Sequence, residues 1–143
     1  MWKSSSRIDF QRRSRTDKQT MSKTPRIQWL TKPEDHDYMA AASYLSLVYV
    51  PSAVARNVAR LKSARITEFK AKDISRASGL SLLGVSNSHV ARDRQKIRAG
   101  EKLSPLLLLR DSPRRKVIIA DGYHRLCAVY SRDEDAVIPC KIV

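Results

Sequence analysis

The stretch VIIADGYHRLCAVYSRDEDAVIPCKIV, residues 117–143, carries the clearest structural pattern in the chain. Its β-branched beginning predicts a strand over 116–120, which the Asp-Gly pair at 121–122 ends. Apolar residues at helical spacing then predict a helix over 123–131. The last seven residues predict a closing strand, in which Pro139 marks a sheet edge or the start of the strand. A strand, a helix and a strand in this order indicate an α/β or α+β fold.

The segments upstream predict the other elements of a small domain. Asn87 or Ser88 can cap a helix that Gly100 ends, and Pro105 precedes a leucine run short enough for a buried strand. In the first half we expect a helix from about Pro33 to Val50 capped by Thr31, a helix over 52–62 and a strand over 66–71. A turn or helical hook over 70–79 and a buried loop over 79–84 follow. Next come a helix over 89–99, a strand over 106–109 and a turn over 110–115.

The composition restricts the class of protein and its partners. The 143 residues include 28 Lys and Arg against 14 Asp and Glu, a formal net charge of +14, and 42% are apolar. This length and apolar content suffice for one domain with its own core. No stretch is long and apolar enough for a membrane helix or a signal peptide, and Cys127 and Cys140 have no zinc-ligand spacing. We expect a cytoplasmic protein with reduced cysteines that binds a phosphate-bearing ligand or nucleic acid.

The first 25 residues differ from the rest of the chain. They hold seven basic side chains against two acidic ones and show neither helical nor strand periodicity. Two interpretations stay open: a disordered basic arm that binds phosphate backbones, or an extension ahead of a native start at Met21. Residues 26–65 predict a helical extension, and 66–143 predict the α/β domain itself. His36 is expected to be an exposed polar residue of the extension.

The predicted junction of strand and helix at Asp121–Arg125 is the candidate site. Gly122 has no side chain to block an approaching anion, and the start of a helix offers free amide donors. His124 and Arg125 follow in the first turn, where an imidazole and a guanidinium can bind phosphate oxygens. The predicted nucleotide- or phosphate-binding residues are therefore Gly122, Tyr123, His124 and Arg125. Asp121 either caps the helix, which we favour, or takes part in acid–base or metal chemistry.

The helix predicted over 89–99 carries a second candidate site. Its apolar stripe leaves Arg92, Arg94, Lys96 and Arg98 as a basic surface. Such a surface can bind nucleic acid, although a solvated outer face is the commoner role of a charged helix.

Residues 117–143 resemble the signature of the ParB/sulfiredoxin superfamily, in which a strand leads into a Gly-x-(His/Arg)-Arg helix start and then into an Ile-Pro strand. The earlier segments KAKDI and LSPLLLLRD also resemble that domain, so the similarity covers about residues 66–143. The resemblance implies a small α/β domain that binds nucleotide or phosphate groups at this helix start, with Gly122, His124 and Arg125 as phosphate contacts. The cofactor is then ATP or CTP with Mg²⁺, and otherwise there is none.

The chain also departs from this family. Sulfiredoxins place their catalytic cysteine where this sequence has Tyr123, and Cys127 lies one helical turn later on the predicted packing face. We therefore expect no sulfinic-acid reductase activity. Partition ParB proteins continue into a helix-turn-helix domain, and we expect no DNA reading through such a domain here.

Three functions remain open at this point. The first is a nucleotide-binding domain that transfers a phosphoryl group or hydrolyses an NTP. The second is a noncatalytic module that binds DNA or RNA through its positive charge. The third is a small interaction protein in which the Gly-x-His-Arg turn is merely structural. The sequence assigns no catalytic residue, metal ligand or oligomeric state.

Overall fold

A computed structural model describes residues 26–143, and the predictions for residues 1–25 lie outside it. The described part confirms the predicted class, a small α/β fold. It has five α-helices, one mixed four-stranded sheet and one parallel pair of short strands. The strands are β1 Gln28–Trp29, β2 Thr67–Lys70, β3 Lys102–Leu103, β4 Leu106–Asp111, β5 Lys116–Asp121 and β6 Val137–Ile142. The α-helices are α1 Asp35–Leu45, α2 Pro51–Ser63, α3 Ala71–Ser78, α4 Ser88–Arg98 and α5 Tyr123–Arg132.

The main sheet has the strand order β2-β6-β4-β5. β4 runs parallel to β6, whereas β2 is antiparallel to β6 and β5 is antiparallel to β4. β6 is therefore an inner strand, and the prediction that Pro139 marks a sheet edge is wrong. The proline is tolerated because pairing with β4 begins only at Cys140, one residue later. Two-residue strands β1 and β3 form a separate parallel pair.

The leucine run in β4 links two halves of the core. Leu106 and Leu108 belong to the cluster on the face covered by α3, α4 and α5, whereas Leu107 and Leu109 belong to the cluster beneath α1 and α2. Successive side chains of a strand point to opposite faces, so a strand covered on both sides must be apolar throughout. The helices of segment 26–65 accordingly pack on the same sheet as the rest of the chain.

The first helix begins later than its sequence pattern predicts and ends earlier. Its N-cap is Glu34, not Thr31, and the helix ends at Leu45 instead of continuing to Val50. Glu34 and Asp37 form a capping box, in which the Asp37 carboxylate accepts a hydrogen bond of 2.8 Å from the Glu34 amide. This reciprocal pair satisfies the first amides of α1 better than a distant threonine could.

The connection between α3 and α4 is also different from its prediction. We expected its leucines to be buried, but Leu80 and Leu82 are exposed. The prediction for α4 itself is confirmed, because Asn87 Oδ1 accepts hydrogen bonds from the amides of His89 and Val90. Gly100 follows the helix with φ of +74°, as a helix-ending glycine does.

Within residues 26–143, no helix is long and apolar enough to cross a membrane.

Candidate phosphate-binding site

Gly122 joins β5 to α5 and is the N-cap residue of the helix, with φ of +107°. A Cβ atom added here would lie 2.7 Å from Leu106 Cγ and 3.0 Å from Arg125 Nη2. Both the left-handed backbone and the contact with β4 therefore require glycine. The residue is buried beneath these neighbours, so its missing side chain serves the packing of the junction. An anion at this turn has to meet the amides of the following residues.

Asp121 and Arg125 form the ionic centre of the junction. Arg125 Nη2 donates to Asp121 Oδ2 at 2.9 Å, and the two side chains are only 16% and 15% exposed. A second, longer bond from Nη2 reaches the carbonyl of Pro105 at 3.4 Å. The prediction that Asp121 caps α5 is wrong, because Gly122 holds the cap position and no side chain of the described residues bonds to it. The carboxylate is bound to Arg125 instead, one turn along the helix.

Two further carboxylates lie near the ion pair of Arg125 and Asp121. Burial raises the pKa of Asp121, and the neighbouring Asp37 raises it further, while Arg125 opposes both effects. Burial also raises the pKa of Asp93 on α4, opposed first by Arg125 and then by Lys96 and His124. The junction therefore holds one arginine among Asp37, Asp93 and Asp121. Arg125 Nε is buried and has no hydrogen-bond partner within residues 26–143.

The other side chains of the first turn face outward toward α4 and its preceding loop. The imidazole rings of His124 and His89 lie 4.7 Å apart between centroids, tilted by 40°. Tyr123 donates its hydroxyl hydrogen to the carbonyl of Ser81 and holds that loop over the start of α5. Burial, followed by Cys127, raises the pKa of Tyr123. Two imidazoles from different helices thus meet at the turn that the sequence singled out.

The start of α5 has no side-chain cap among residues 26–143. Tyr123, His124 and Arg125 form the first turn, where a helix supplies no acceptor for the amides, and the first amide with an acceptor in the helix cap is that of Leu126, which donates to the Gly122 carbonyl. A helix leaves its first amides unpaired, and without a side-chain cap they remain available to water or to a ligand. The cap residue is glycine, which has no side-chain oxygen to bind these amides.

The basic residues predicted on α4 have different surroundings. Arg92 and Lys96 lie close enough to Asp93 to stabilise its carboxylate, beside the junction. Arg94 Nη1 instead donates to Ser131 Oγ at 2.8 Å and joins α4 to α5. Arg98 lines a small cavity of about 30 Å³ together with Arg94, away from the junction. Only the first pair therefore adjoins the candidate site.

Sequence reasoning missed His89, Asp93 and Asp37. The first two lie four residues apart on α4 and so share one face of the helix, a spacing that could have paired them with the junction. Asp37 could have been found only as part of a capping box. Its role beside Asp121 depends on the packing of α1 against β5.

His36 has an exposed side chain, as expected, but it is not isolated. Its Nε2 lies 3.0 Å from Glu34 Oε2 and 3.4 Å from Asp37 Oδ1. Among residues 26–143 this is the one trio of His, Cys, Asp or Glu whose ligand atoms lie within 4.8 Å of one another. Both carboxylates already form the capping box of α1, which accounts for the cluster without a metal.

Both cysteines are buried and free. Cys127 Sγ accepts a hydrogen bond from the Leu83 amide at 3.4 Å, which ties it to the loop before α4. Burial raises the pKa of the Cys140 thiol to about 12, so it stays protonated and unreactive in the folded protein. Neither thiol is placed as a nucleophile.

No protein-family model, curated protein or solved structure matches this chain.

Proposed function

We propose that the start of α5 binds the phosphate groups of a nucleotide, with ATP and CTP as the ligands to test. The observation that supports this most is the start of α5, which no side chain of residues 26–143 caps, beside the His89–His124 pair. Helix amides attract anions through their hydrogens and the helix dipole, and imidazoles add donors from the side. The resemblance of residues 117–143 to the ParB/sulfiredoxin signature points to the same ligand.

Arg125 has an indirect role in this proposal. Its guanidinium stays bound to Asp121, so it adds positive charge next to the ligand and fixes the start of α5. His124, His89 and the amides make the direct contacts. Arg125 is thus a positioning residue, and its loss affects folding as well as binding.

Asp93 is the candidate ligand for the Mg²⁺ that accompanies a nucleotide. It is the carboxylate near His124 that has no ion pair with Arg125, whereas Asp121 is engaged at 2.9 Å. A divalent ion would neutralise phosphate charge and permit phosphoryl transfer or NTP hydrolysis. Release of ADP or CDP during incubation with Mg²⁺ tests for this activity.

Isothermal titration with ATP, CTP and ADP, with and without Mg²⁺, tests the binding site. Hydrogen bonds to charged groups contribute roughly 1.5–3 kcal/mol, so His124→Ala should weaken binding about tenfold or more. Gln95→Ala is the matched control, an exposed position on α4 away from the junction. Equal affinities of the two variants, or no binding by the wild type, would leave the turn with a structural role only.

A second candidate function is nucleic-acid binding through α4. Arg92, Lys96 and Arg98 are exposed, and their side chains make no hydrogen bond or ion pair among the described residues. If this function holds, affinity for an oligonucleotide should fall steeply with salt, and Arg98→Ala should reduce the salt slope by about one. The nucleotide site predicts no effect of Arg98→Ala on ATP or CTP.

A further inference from the structure

The other end of β5 has a cavity that the proposed function does not use. Its volume is about 380 Å³, and it lies between α3 and the sheet. The cavity exists because α3 has only eight residues and covers the beginning of β5 incompletely. The apolar part of its wall comes from both elements: Phe69, Ile74, Ala77, Leu108, Val117 and Ile142.

Three cations line the rim of this cavity. Arg110 lies one residue before the end of β4, and Arg115 and Lys116 follow the short 3₁₀ turn of the β4–β5 hairpin. All three are exposed, and none of their side chains makes a hydrogen bond or an ion pair within residues 26–143. The one carboxylate in the wall, Asp73, leaves two positive charges uncompensated.

The Arg114 side chain shows that pairing is possible in this hairpin. Arg114 Nη1 lies 3.1 Å from Asp111 Oδ2, and neither residue lines the cavity. The hairpin therefore pairs the cation that points away from the cavity and leaves those around it free. A ligand with negative charge would find unpaired partners here.

Arg115 also has an unusual backbone. Its φ of +54° is the one positive value at a non-glycine residue in the part of the chain that the structure describes. The left-handed region costs an ordinary side chain roughly 1 kcal/mol relative to glycine. Replacement of Arg115 by glycine should therefore relieve backbone strain and at the same time remove a cation from the rim of the cavity. Stability and ligand affinity should then change in opposite directions.

We propose that this cavity binds a small amphipathic anion, namely a carboxylate or phosphate monoester on a short aliphatic or aromatic body. The apolar wall takes the body, and the free cations of Arg110, Arg115 and Lys116 bind the charged end. The volume falls at the lower end of ordinary ligand cavities, which excludes a large ligand. The site is separated from the start of α5 by the length of β5, roughly 16 Å at the usual rise per residue.

The probes are octanoate and octyl phosphate, measured by isothermal titration against three reference compounds. Octanol keeps the apolar body without charge, octylammonium reverses the charge, and acetate lacks the body. We expect octanoate and octyl phosphate to bind at least tenfold more tightly than octanol and acetate, and octylammonium not to bind. Equal affinities for octanoate and octanol, or no binding of either anion, would overturn the proposal.

The variants separate binding from folding. Arg115→Gly should weaken octanoate binding about fivefold, while it raises the melting temperature through relief of the left-handed strain. Arg114→Gln, in the same hairpin but outside the cavity, should leave the affinity unchanged. His124→Ala should leave it unchanged too, because the nucleotide site lies at the far end of β5. Similar losses in Arg115→Gly and Arg114→Gln would mean that general surface charge, and not this cavity, attracts the anions.

Discussion

The two ends of β5 use arginine in opposite ways. At the Asp121 end, Arg125 is mostly buried and has a carboxylate 2.9 Å away. At the Lys116 end, the side chains of Arg110, Arg115 and Lys116 are exposed and have no partner within residues 26–143, beside an apolar cavity. A buried charge must be compensated for the chain to fold, whereas an exposed charge is compensated by water and can be exchanged for a ligand. The first end is therefore sensitive to mutation through stability, and the second mainly through binding.

The largest effect is expected from alanine at Gly122. The variant combines a strained φ of +107° with a Cβ only 2.7 Å from Leu106 Cγ, which together should cost about 3 kcal/mol of unfolding free energy. Two controls separate the causes. Gly100→Ala has a positive φ but open space and should cost about 1 kcal/mol, and Gly84→Ala meets nothing within 4 Å and should cost nothing. Urea unfolding measures the series, and equal losses at Gly122 and Gly100 would show that Leu106 yields.

Arg125→Ala should destabilise the fold by about 3 kcal/mol, because it leaves the Asp121 carboxylate buried without a partner. The double variant Arg125→Ala with Asp121→Ala should recover part of that loss, since no uncompensated charge remains. Lys116→Ala is the comparison at the other end of β5, where removal of an exposed, unpaired cation should change the unfolding free energy by less than about 0.5 kcal/mol. Additive losses in the double variant would contradict the paired geometry.

A smaller effect concerns the pH dependence of stability. Burial raises the pKa of Asp93 above its value in the unfolded chain. At a pH just above the ordinary carboxyl pKa, the folded state therefore binds more protons than the unfolded state. Stability contributed by the neutral form is present below the unfolded pKa and is lost as the pH rises through the folded pKa. Asp93→Asn should therefore be more stable than the wild type near pH 7 and not near pH 3.

The size of this effect is below about 1 kcal/mol, because Asp93 is only half-buried and solvent screens its charge. Urea unfolding at pH 3 to 7 gives the difference curve between Asp93→Asn and wild type. If the difference in unfolding free energy does not grow with pH, the Asp93 carboxyl is solvated and its pKa is not raised by burial. The same variant should lose any Mg²⁺-dependent part of nucleotide binding.

Local patterns predicted much of the fold. The strand–helix–strand order of residues 116–143 was predicted correctly, as were the Asn87 cap and the helix over 52–62, which spans Pro51–Ser63. These features depend on the chain's nearest neighbours in sequence. The exposed Leu80 and Leu82 were mispredicted because burial depends on whether another element packs over a residue.

The position of the candidate site could be predicted from the sequence, but the partners of its residues could not. A glycine after a buried strand and before a helical pattern was sufficient to locate the junction, because few residues adopt a positive φ. The partners there come from elsewhere in the chain: Leu106 from β4, His89 and Asp93 from α4, and Asp37 from α1. Their sequence separations from Gly122 have no periodicity that a pattern could detect.

The amino-acid order thus established which segments become strands and helices, where α5 begins and that the chain carries excess positive charge, since these follow from local sterics, periodicity and composition. Tertiary packing established that β6 lies inside the sheet, that Asp121 binds Arg125 rather than capping the helix, and that three cations surround a cavity at the hairpin. The physical reason is that a side chain's partner and its exposure to water depend on residues distant in sequence, which meet only when the sheet assembles.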